Sequence, residues 1–198
     1  MKKELLRNIF TAPNVLSLSR ILLVPVFLVL ILKNRTFFAL IVFFIASATD
    51  FLDGYIARRS SQVSKLGQIL DPTGDKLLMA TGFIVLTLTS LGYQNTLPVW
   101  LTAVVIGRDV VIVIGTSIIF RMTRVRQIHV TFLGKLSTTC QMGVLLLVLL
   151  FNWIEITPWY LVVFYYLTLG LTILSGIQYG VIGVDMLKKK RDGSGSSR

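Results

Sequence analysis

The sequence predicts an all-α integral membrane protein with six transmembrane helices and a short interfacial amphipathic helix at its N-terminus. The 198-residue chain has a mean hydropathy of +0.77, with 54% hydrophobic and only 15% charged residues. Soluble domains usually carry about 25% charged residues, so the composition excludes a soluble globule. Long apolar stretches alternate with short basic clusters, which is typical of a multi-pass membrane protein.

The elements follow from apolar length and from start signals. Residues 2–10 alternate charged and apolar side chains at helical spacing and are too short to cross a bilayer, so we expect them to lie on its surface. Six spans follow, at about 14–32, 36–57, 67–90, the stretch from Pro98 to about 120, 134–151 and 159–186. Residues 1–191 are expected to form one domain. Residues 192–198 are expected to form a disordered tail, because G-S-G-S-S-R resembles a flexible engineered linker.

The basic residues predict the orientation of these spans. They cluster before span one, after spans two and four, and after span six, whereas the opposite loops carry only Lys33 and Arg35. This asymmetry places both termini in the cytoplasm, in a multi-pass protein of the cytoplasmic (inner) membrane. The net charge of +11 is dispersed among these clusters, which favours anionic headgroups over nucleic acid as the partner.

Four of the nine acidic residues stand between positions 50 and 75. Asp50 and Asp53 are spaced i, i+3, and Asp71 and Asp75 are spaced i, i+4, so each pair occupies one face of a helix. The pairs fall at the end of span two and the start of span three, so two helices can direct four carboxylates at one point. An unpaired acid at membrane depth costs about 2.5 kcal/mol or more, so we expect divalent cations among them. Ligands that are all oxygen favour Mg²⁺, Mn²⁺ or Ca²⁺.

The stretch reads D-x2-D-G-x2-A-R-x8-G-x3-D-x3-D, and in this form it resembles the signature of the CDP-alcohol phosphatidyltransferase family at every specified position. The alternative is that the acids merely pair with nearby basic residues, which explains some of the acids but not their spacing. The resemblance implies an enzyme that transfers a phosphatidyl group from CDP-diacylglycerol to an alcohol and releases CMP. It also implies a homodimer.

The resemblance further implies roles for individual residues. The metal ligands are expected to be the four carboxylates Asp50, Asp53, Asp71 and Asp75, which would hold two Mg²⁺ or Mn²⁺ ions. Asp75 is also expected to act as general base towards the alcohol. The nucleotide site is expected to consist of three small residues and one phosphate-binding arginine, namely Gly54, Ala57, Gly67 and Arg58.

The acceptor is the open question. Arg108 within span four, together with Arg124 and Lys135 near the connection to span five, suits an acceptor that carries its own phosphate, such as glycerol 3-phosphate. The alternative for Arg108 is a satisfied ion pair with the adjacent Asp109. Arg20 interrupts span one, where it is either a snorkelling anchor or, as we favour, a site residue.

Resemblance beyond the signature points in two directions. Residues 134–142 and the opening segment resemble phosphatidylglycerophosphate synthases, whereas I-G-R-D-V at 106–110 resembles cardiolipin synthases, which use phosphatidylglycerol as acceptor. Serine and inositol-phosphate enzymes share the signature. Two other classes place acids in membranes: magnesium-dependent prenyltransferases and cation transporters. The former usually need more spans, and the latter give no reason for Gly54, Ala57, Arg58 and Gly67 at fixed offsets.

Overall fold

The structure, a computed structural model, describes residues 12–57, 67–123 and 131–195. Six α-helices account for nearly all of the described backbone: α1 (Ala12–Leu32), α2 (Thr36–Ala57), α3 (Gly67–Thr87), α4 (Val99–Thr123), α5 (Phe132–Trp153) and α6 (Leu161–Gly195). A short 3₁₀ helix, Thr89–Leu91, follows α3. The all-α prediction with six long helices is confirmed. The predicted amphipathic helix at 2–10 lies outside the described residues.

The last helix continues beyond its apolar span. The last apolar span ends at Met186, as expected, whereas the helix itself continues to Gly195. The run K-K-K-R at 188–191 consists of good helix formers, and no proline interrupts it. The helix therefore extends past the apolar span into its basic tail.

Three helices contain segments that are long and apolar enough to cross a membrane: Val99–Ser117, Phe132–Trp153 and Leu161–Met186. Shorter apolar segments occupy the described parts of the other three, at Ser19–Leu32, Thr36–Thr49 and Lys76–Thr87. Many large apolar side chains on these helices are exposed, such as Val111 at 70% and Ile177 at 60%. Apolar side chains of this kind are stable against lipid. The helices suit the same environment, because their backbone hydrogen bonds are satisfied inside each helix.

The chain divides into two compact units, of which the first comprises Met1–Leu97 and Leu145–Pro158. In this unit α1 packs against both α2 and α3. Phe27 of α1 and Phe43 of α2 are fully buried, with ring centroids 5.4 Å apart. A Cβ atom at Gly82 of α3 would meet the Leu145 methyl groups at 3.2 Å, so glycine allows close packing there. This packing positions the ends of α2 and α3 that carry the acidic signature.

Two polar contacts fix the opposite end of the first unit. Asn152 Oδ1 accepts a hydrogen bond from the backbone N–H of Asn95 at 2.9 Å, and Asn152 Nδ2 donates to the Asn95 carbonyl at 2.9 Å. Tyr93 donates its hydroxyl proton to the carbonyl of Ile31. Burial raises the pKa of Tyr93 to about 12 because the phenolate would lose its hydration. Tyr93 therefore stays a neutral donor throughout the ordinary pH range.

The second unit comprises Pro98–Val144 and Trp159–Arg198. Its helices α4 and α6 pack along each other. Between α5 and α6, Gln141 Nε2 donates to Thr172 Oγ1 at 3.0 Å, and Ser137 Oγ lies 3.2 Å from the same hydroxyl oxygen. All three side chains are buried, so the hydrogen bonds satisfy polar groups that water does not reach.

Candidate active site

The acidic signature lies where two helices of the first unit face the same connection. Asp50 and Asp53 belong to the last turns of α2, and Asp71 and Asp75 belong to the first turns of α3. The helical backbone therefore gives both pairs the spacing that the sequence predicts, i, i+3 and i, i+4, on one face of each helix. The side chains of these four residues lie outside the described part of the structure, so their role as metal ligands stays a prediction.

The predicted nucleotide residues surround the same connection in the chain. Gly54 and Ala57 belong to the last turn of α2, which ends at Ala57, and Gly67 is the first residue of α3. Two predicted basic residues, Arg58 and Arg124, lie outside the described residues. The nucleotide assignment therefore also stays a prediction.

Arg20 is a buried cation in the same unit as the four aspartates. Its side chain is 1% exposed, midway along α1. A snorkelling arginine keeps its charged head at the water interface, so this burial contradicts the anchor interpretation. A guanidinium without water needs polar or anionic neighbours.

The described side chains hold no second candidate for a metal centre. Among them, no group of three or more His, Cys, Asp or Glu residues comes together. The four signature carboxylates lie outside that set, and their chemistry suits a hard divalent cation, because carboxylate oxygens are the ligands that such ions prefer. The donor set of this chain therefore fits a magnesium-like ion and does not fit zinc.

Arg108 of α4 forms the best-described polar cluster of the protein. Its side chain is 9% exposed, and its Nη1 contacts Asp109 Oδ1 at 2.7 Å, which is the ion pair that the sequence offered as the alternative to an acceptor-binding role. Nη2 donates to Ser175 Oγ at 2.6 Å. The guanidinium also lies over the Tyr179 ring, 5.6 Å from its centroid. These contacts hold the cation at a defined position against α6.

Tyr179 links this cluster to the start of α5. Its hydroxyl oxygen accepts a hydrogen bond from the backbone N–H of Thr131 at 3.3 Å. A Cβ atom at Gly134 would stand 2.9 Å from the same hydroxyl, so any other residue here would force the tyrosine or the helix to shift. The next residue, Lys135, is exposed in the first turn of α5. The packing of Gly134 against Tyr179 therefore fixes the helix end that carries Lys135.

Sequence reasoning missed both Ser175 and Tyr179. They are spaced i, i+4 in an apolar span, so each faces the same side of α6, and this polar pair was the available signal. Their importance becomes visible only through their contacts with Arg108. The aspartates belong to the first unit, and the Arg108 cluster with Lys135 belongs to the second.

Comparison with known proteins gives concordant results. A family model described as CDP-alcohol phosphatidyltransferase matches residues 10–174, a range that includes the whole signature, Arg108 and Asp109 and ends just before Ser175. A CDP-diacylglycerol--glycerol-3-phosphate 3-phosphatidyltransferase from Haemophilus influenzae is 32% identical over 176 residues, which are 86% of this chain and 91% of that protein. The protein of the same name from Escherichia coli K12 is 31% identical over 176 residues, with 86% and 93% covered.

A cardiolipin synthase (CMP-forming) from Streptomyces coelicolor is 37% identical over a shorter stretch of 137 residues. That stretch is 66% of this chain and 61% of the relative, so the chain spans less than two thirds of that protein's length.

Proposed function

Since the chain belongs to the CDP-alcohol phosphatidyltransferase family, we propose that it transfers the phosphatidyl group of CDP-diacylglycerol to glycerol 3-phosphate and releases CMP. The observation that carries this proposal is the length of the similarity to relatives of that name. They align with 86% of this chain and with 91% or more of their own length. The cardiolipin synthase has the higher identity, but only 61% of it is covered.

The reaction is a displacement at the phosphorus that bears diacylglycerol. The acceptor hydroxyl oxygen forms a bond to this phosphorus, the bond between the phosphorus and the CMP oxygen breaks, and CMP leaves. The hydroxyl proton passes to a base, and we assign this role to Asp75. An aspartate has a low ordinary pKa for this task, so the acidity of the bound alcohol must also be raised.

The family is divalent-metal dependent. We propose that each site holds two divalent ions, Mg²⁺ or Mn²⁺. Their ligands are the carboxylates of Asp50, Asp53, Asp71 and Asp75. Such ions supply positive charge that stabilises the attacking and leaving oxygens and acidifies the alcohol. The protein then has to provide mainly position. Gly54, Ala57 and Gly67 leave room for the nucleotide, and the Arg58 guanidinium pairs with its phosphate oxygens.

For the acceptor phosphate we propose Arg108, with Lys135 and Arg124. Glycerol 3-phosphate carries close to two negative charges, and paired cations bind such a group well. In the structure, Arg108 is already held by Ser175 and Tyr179, so its position does not depend on the ligand. An acceptor phosphate can replace the Asp109 carboxylate at Nη1, because both present anionic oxygens.

The second candidate is cardiolipin synthesis with phosphatidylglycerol as acceptor. The acidic residue directly after Arg108 favours it, because I-G-R-D-V resembles the cardiolipin synthases. In that reaction the acceptor carries one charge on its phosphate and two acyl chains, which would have to enter from the bilayer. Membrane prenyltransfer and cation transport lack a comparable observation.

We also propose that the protein works as a homodimer with both termini and the active site on the cytoplasmic side. The distribution of basic residues supports the orientation. Cross-linking in native membranes tests the dimer, and recovery of monomer alone would count against it.

The experiment that tests the reaction class measures CMP release by the purified protein from CDP-diacylglycerol. We expect release that depends on added glycerol 3-phosphate. A prenyltransferase or a transporter would release no CMP under any of these conditions, and that result would contradict the proposal.

A further inference from the structure

A cavity of about 620 Å³ lies between α4 and α6, within the second unit. Residues between 104 and 116 form one wall, and residues between 172 and 184 form the other. Both helices contain segments long and apolar enough to cross a membrane, and side chains such as Val111 and Ile177 on these walls are mostly exposed. The cavity therefore opens towards the hydrocarbon of the bilayer.

Glycines keep this cavity open. The walls include five of them: Gly107, Gly115, Gly176, Gly180 and Gly183. Small residues in membrane helices usually allow a neighbouring helix to approach closely. At Gly107, Gly115 and Gly180, however, an added Cβ atom would have no neighbour within 4 Å. Within the described part of the chain, these glycines therefore take no part in helix packing, and their missing side chains leave space for an occupant.

The wall of the apolar cavity contains a buried guanidinium. Arg108 lines it with a side chain that is 9% exposed. Its two terminal nitrogens bond to Asp109 and Ser175, but the buried Nε has no hydrogen-bond partner in the part of the chain that the structure describes. A buried N–H without an acceptor is unfavourable, so an occupant with an oxygen at this point would be stabilised.

We propose that the cavity binds one acyl chain of a bilayer phospholipid, with an ester or phosphate oxygen of that lipid accepting a hydrogen bond from Arg108 Nε. The volume is within the range of about 300–1,000 Å³ that is usual for ligand pockets. The occupant needs an apolar body and an acceptor oxygen, and a phospholipid supplies both. A helix from a second copy is a poorer match, because its carbonyl groups are already bonded within the helix.

This site is independent of the proposed catalytic function, since it requires a bound lipid and no turnover. An oxygen at Nε also leaves the contacts of Arg108 with Asp109 and Ser175 in place. The acceptor phosphate would therefore contact Nη1 of Arg108, whereas the lipid oxygen would contact Nε of the same guanidinium.

The test uses the full-length protein in detergent with a trace of phosphatidylethanolamine that carries a photoreactive diazirine in one acyl chain. Labelled peptides are mapped by mass spectrometry. We expect the labels to concentrate on 104–116 and 172–184. The variant Gly180→Leu fills part of the cavity and should reduce this labelling roughly tenfold. A loss of this size is expected when the acyl chain can no longer make the contacts of one buried side chain. Gly115→Leu, on the opposite wall, should act in the same direction.

The matched control is Gly170→Leu. Gly170 is an exposed glycine on the same helix with no neighbour within 4 Å of an added Cβ, and it does not line the cavity. Its variant should be labelled like the native protein. Release of CMP at the native rate by Gly180→Leu would show that this variant is folded. If the protein has a different activity, an unfolding temperature equal to that of the native protein provides the same check.

Competition tests the hydrogen bond to Arg108. Lysophosphatidylethanolamine has one acyl chain, an ester and a phosphate, whereas an alkane of the same chain length has no acceptor oxygen. We expect the lysolipid to compete at a concentration roughly tenfold lower, as one hydrogen bond to a charged donor implies. Equal competition would overturn the contact with Arg108.

Two results would overturn the cavity as a lipid site. One is native labelling of 104–116 and 172–184 in both Gly180→Leu and Gly115→Leu. The other is a change of oligomeric state in these variants with unchanged lipid labelling, which would make this face an interface between copies of the chain.

Discussion

Arg108 Nη2 on α4 donates a hydrogen bond to Ser175 Oγ on α6, and the two atoms are 2.6 Å apart. The same guanidinium lies over the ring of Tyr179, one helical turn further along. Two residues of one helix thus hold a buried cation of another. If Arg108 meets the acceptor phosphate, as we propose, Ser175 and Tyr179 are positioning residues that act through it.

Replacing Ser175 by alanine tests this relationship. The variant removes a hydrogen bond to a charged group, so we expect KM for glycerol 3-phosphate to rise by about tenfold or more while KM for CDP-diacylglycerol is unchanged. The matched control is Ser117→Ala, because Ser117 Oγ on the same helix as Arg108 bonds only to the backbone carbonyl of Val113 among the contacts described. Equal changes in both KM values for Ser175→Ala would contradict a positioning role.

Direct removal of the cations should have a larger effect. Arg108→Gln or Lys135→Gln is expected to raise KM for glycerol 3-phosphate by about 10- to 150-fold, since a charge-assisted contact contributes about 1.5–3 kcal/mol. KM for CDP-diacylglycerol should change far less. Arg35→Gln is the control, because Arg35 is an exposed arginine in the loop between α1 and α2. Steady-state kinetics with each substrate varied in turn gives the comparison.

The close approach of Gly134 to Tyr179 predicts a difference in stability. Gly134→Ala places a Cβ atom 2.9 Å from the Tyr179 hydroxyl and should destabilise the protein by about 1–3 kcal/mol, as overpacking usually does. Gly143→Ala on the same helix meets nothing within 4 Å and should be neutral or stabilising, by up to about 1 kcal/mol. Thermal unfolding in detergent measures both.

Tyr179→Phe removes the hydroxyl and should partly restore the stability of Gly134→Ala. The restoration is partial because the added Cβ would also lie 3.0 Å from Tyr179 Cε2, a ring atom that phenylalanine keeps. If Gly134→Ala unfolded at the same temperature as the native protein, the close packing of α5 against Tyr179 of α6 would not contribute to stability, contrary to this prediction.

The helices were predictable because each needs about 20 apolar residues to cross a bilayer, and such runs are visible in the sequence. The ion pair of Arg108 with Asp109 was foreseen as the alternative to an acceptor role, since the two residues are adjacent. Ser175, which is 67 positions away from Arg108, was not, because no local pattern shows which helix faces α4. The burial of Arg20 depends on tertiary packing in the same way. The continuation of α6 beyond its apolar span was not visible in the sequence, because the basic tail lacks the apolar pattern although it retains helix propensity.

The acidic signature predicts dependence on a divalent cation. Excess chelator should abolish CMP release, added Mg²⁺ or Mn²⁺ should restore it, and Asp71→Asn should lose several orders of magnitude in rate. Asp185→Asn makes the same chemical change at an exposed position outside the signature and should keep its activity. Asp71→Asn should still insert and purify, because the fold does not need all four charges. Unchanged turnover in chelator would rule out the metal site.

The identity of the acceptor tests the central claim most directly. Purified protein is given labelled CDP-diacylglycerol with glycerol 3-phosphate, phosphatidylglycerol, serine or inositol phosphate in separate reactions, and the lipid formed is identified by mass spectrometry. We expect phosphatidylglycerophosphate and CMP with glycerol 3-phosphate, and no new lipid with the other three. Consumption of phosphatidylglycerol alone, with cardiolipin as the product, would contradict the account and would show that I-G-R-D-V around Arg108 was the better guide to the acceptor.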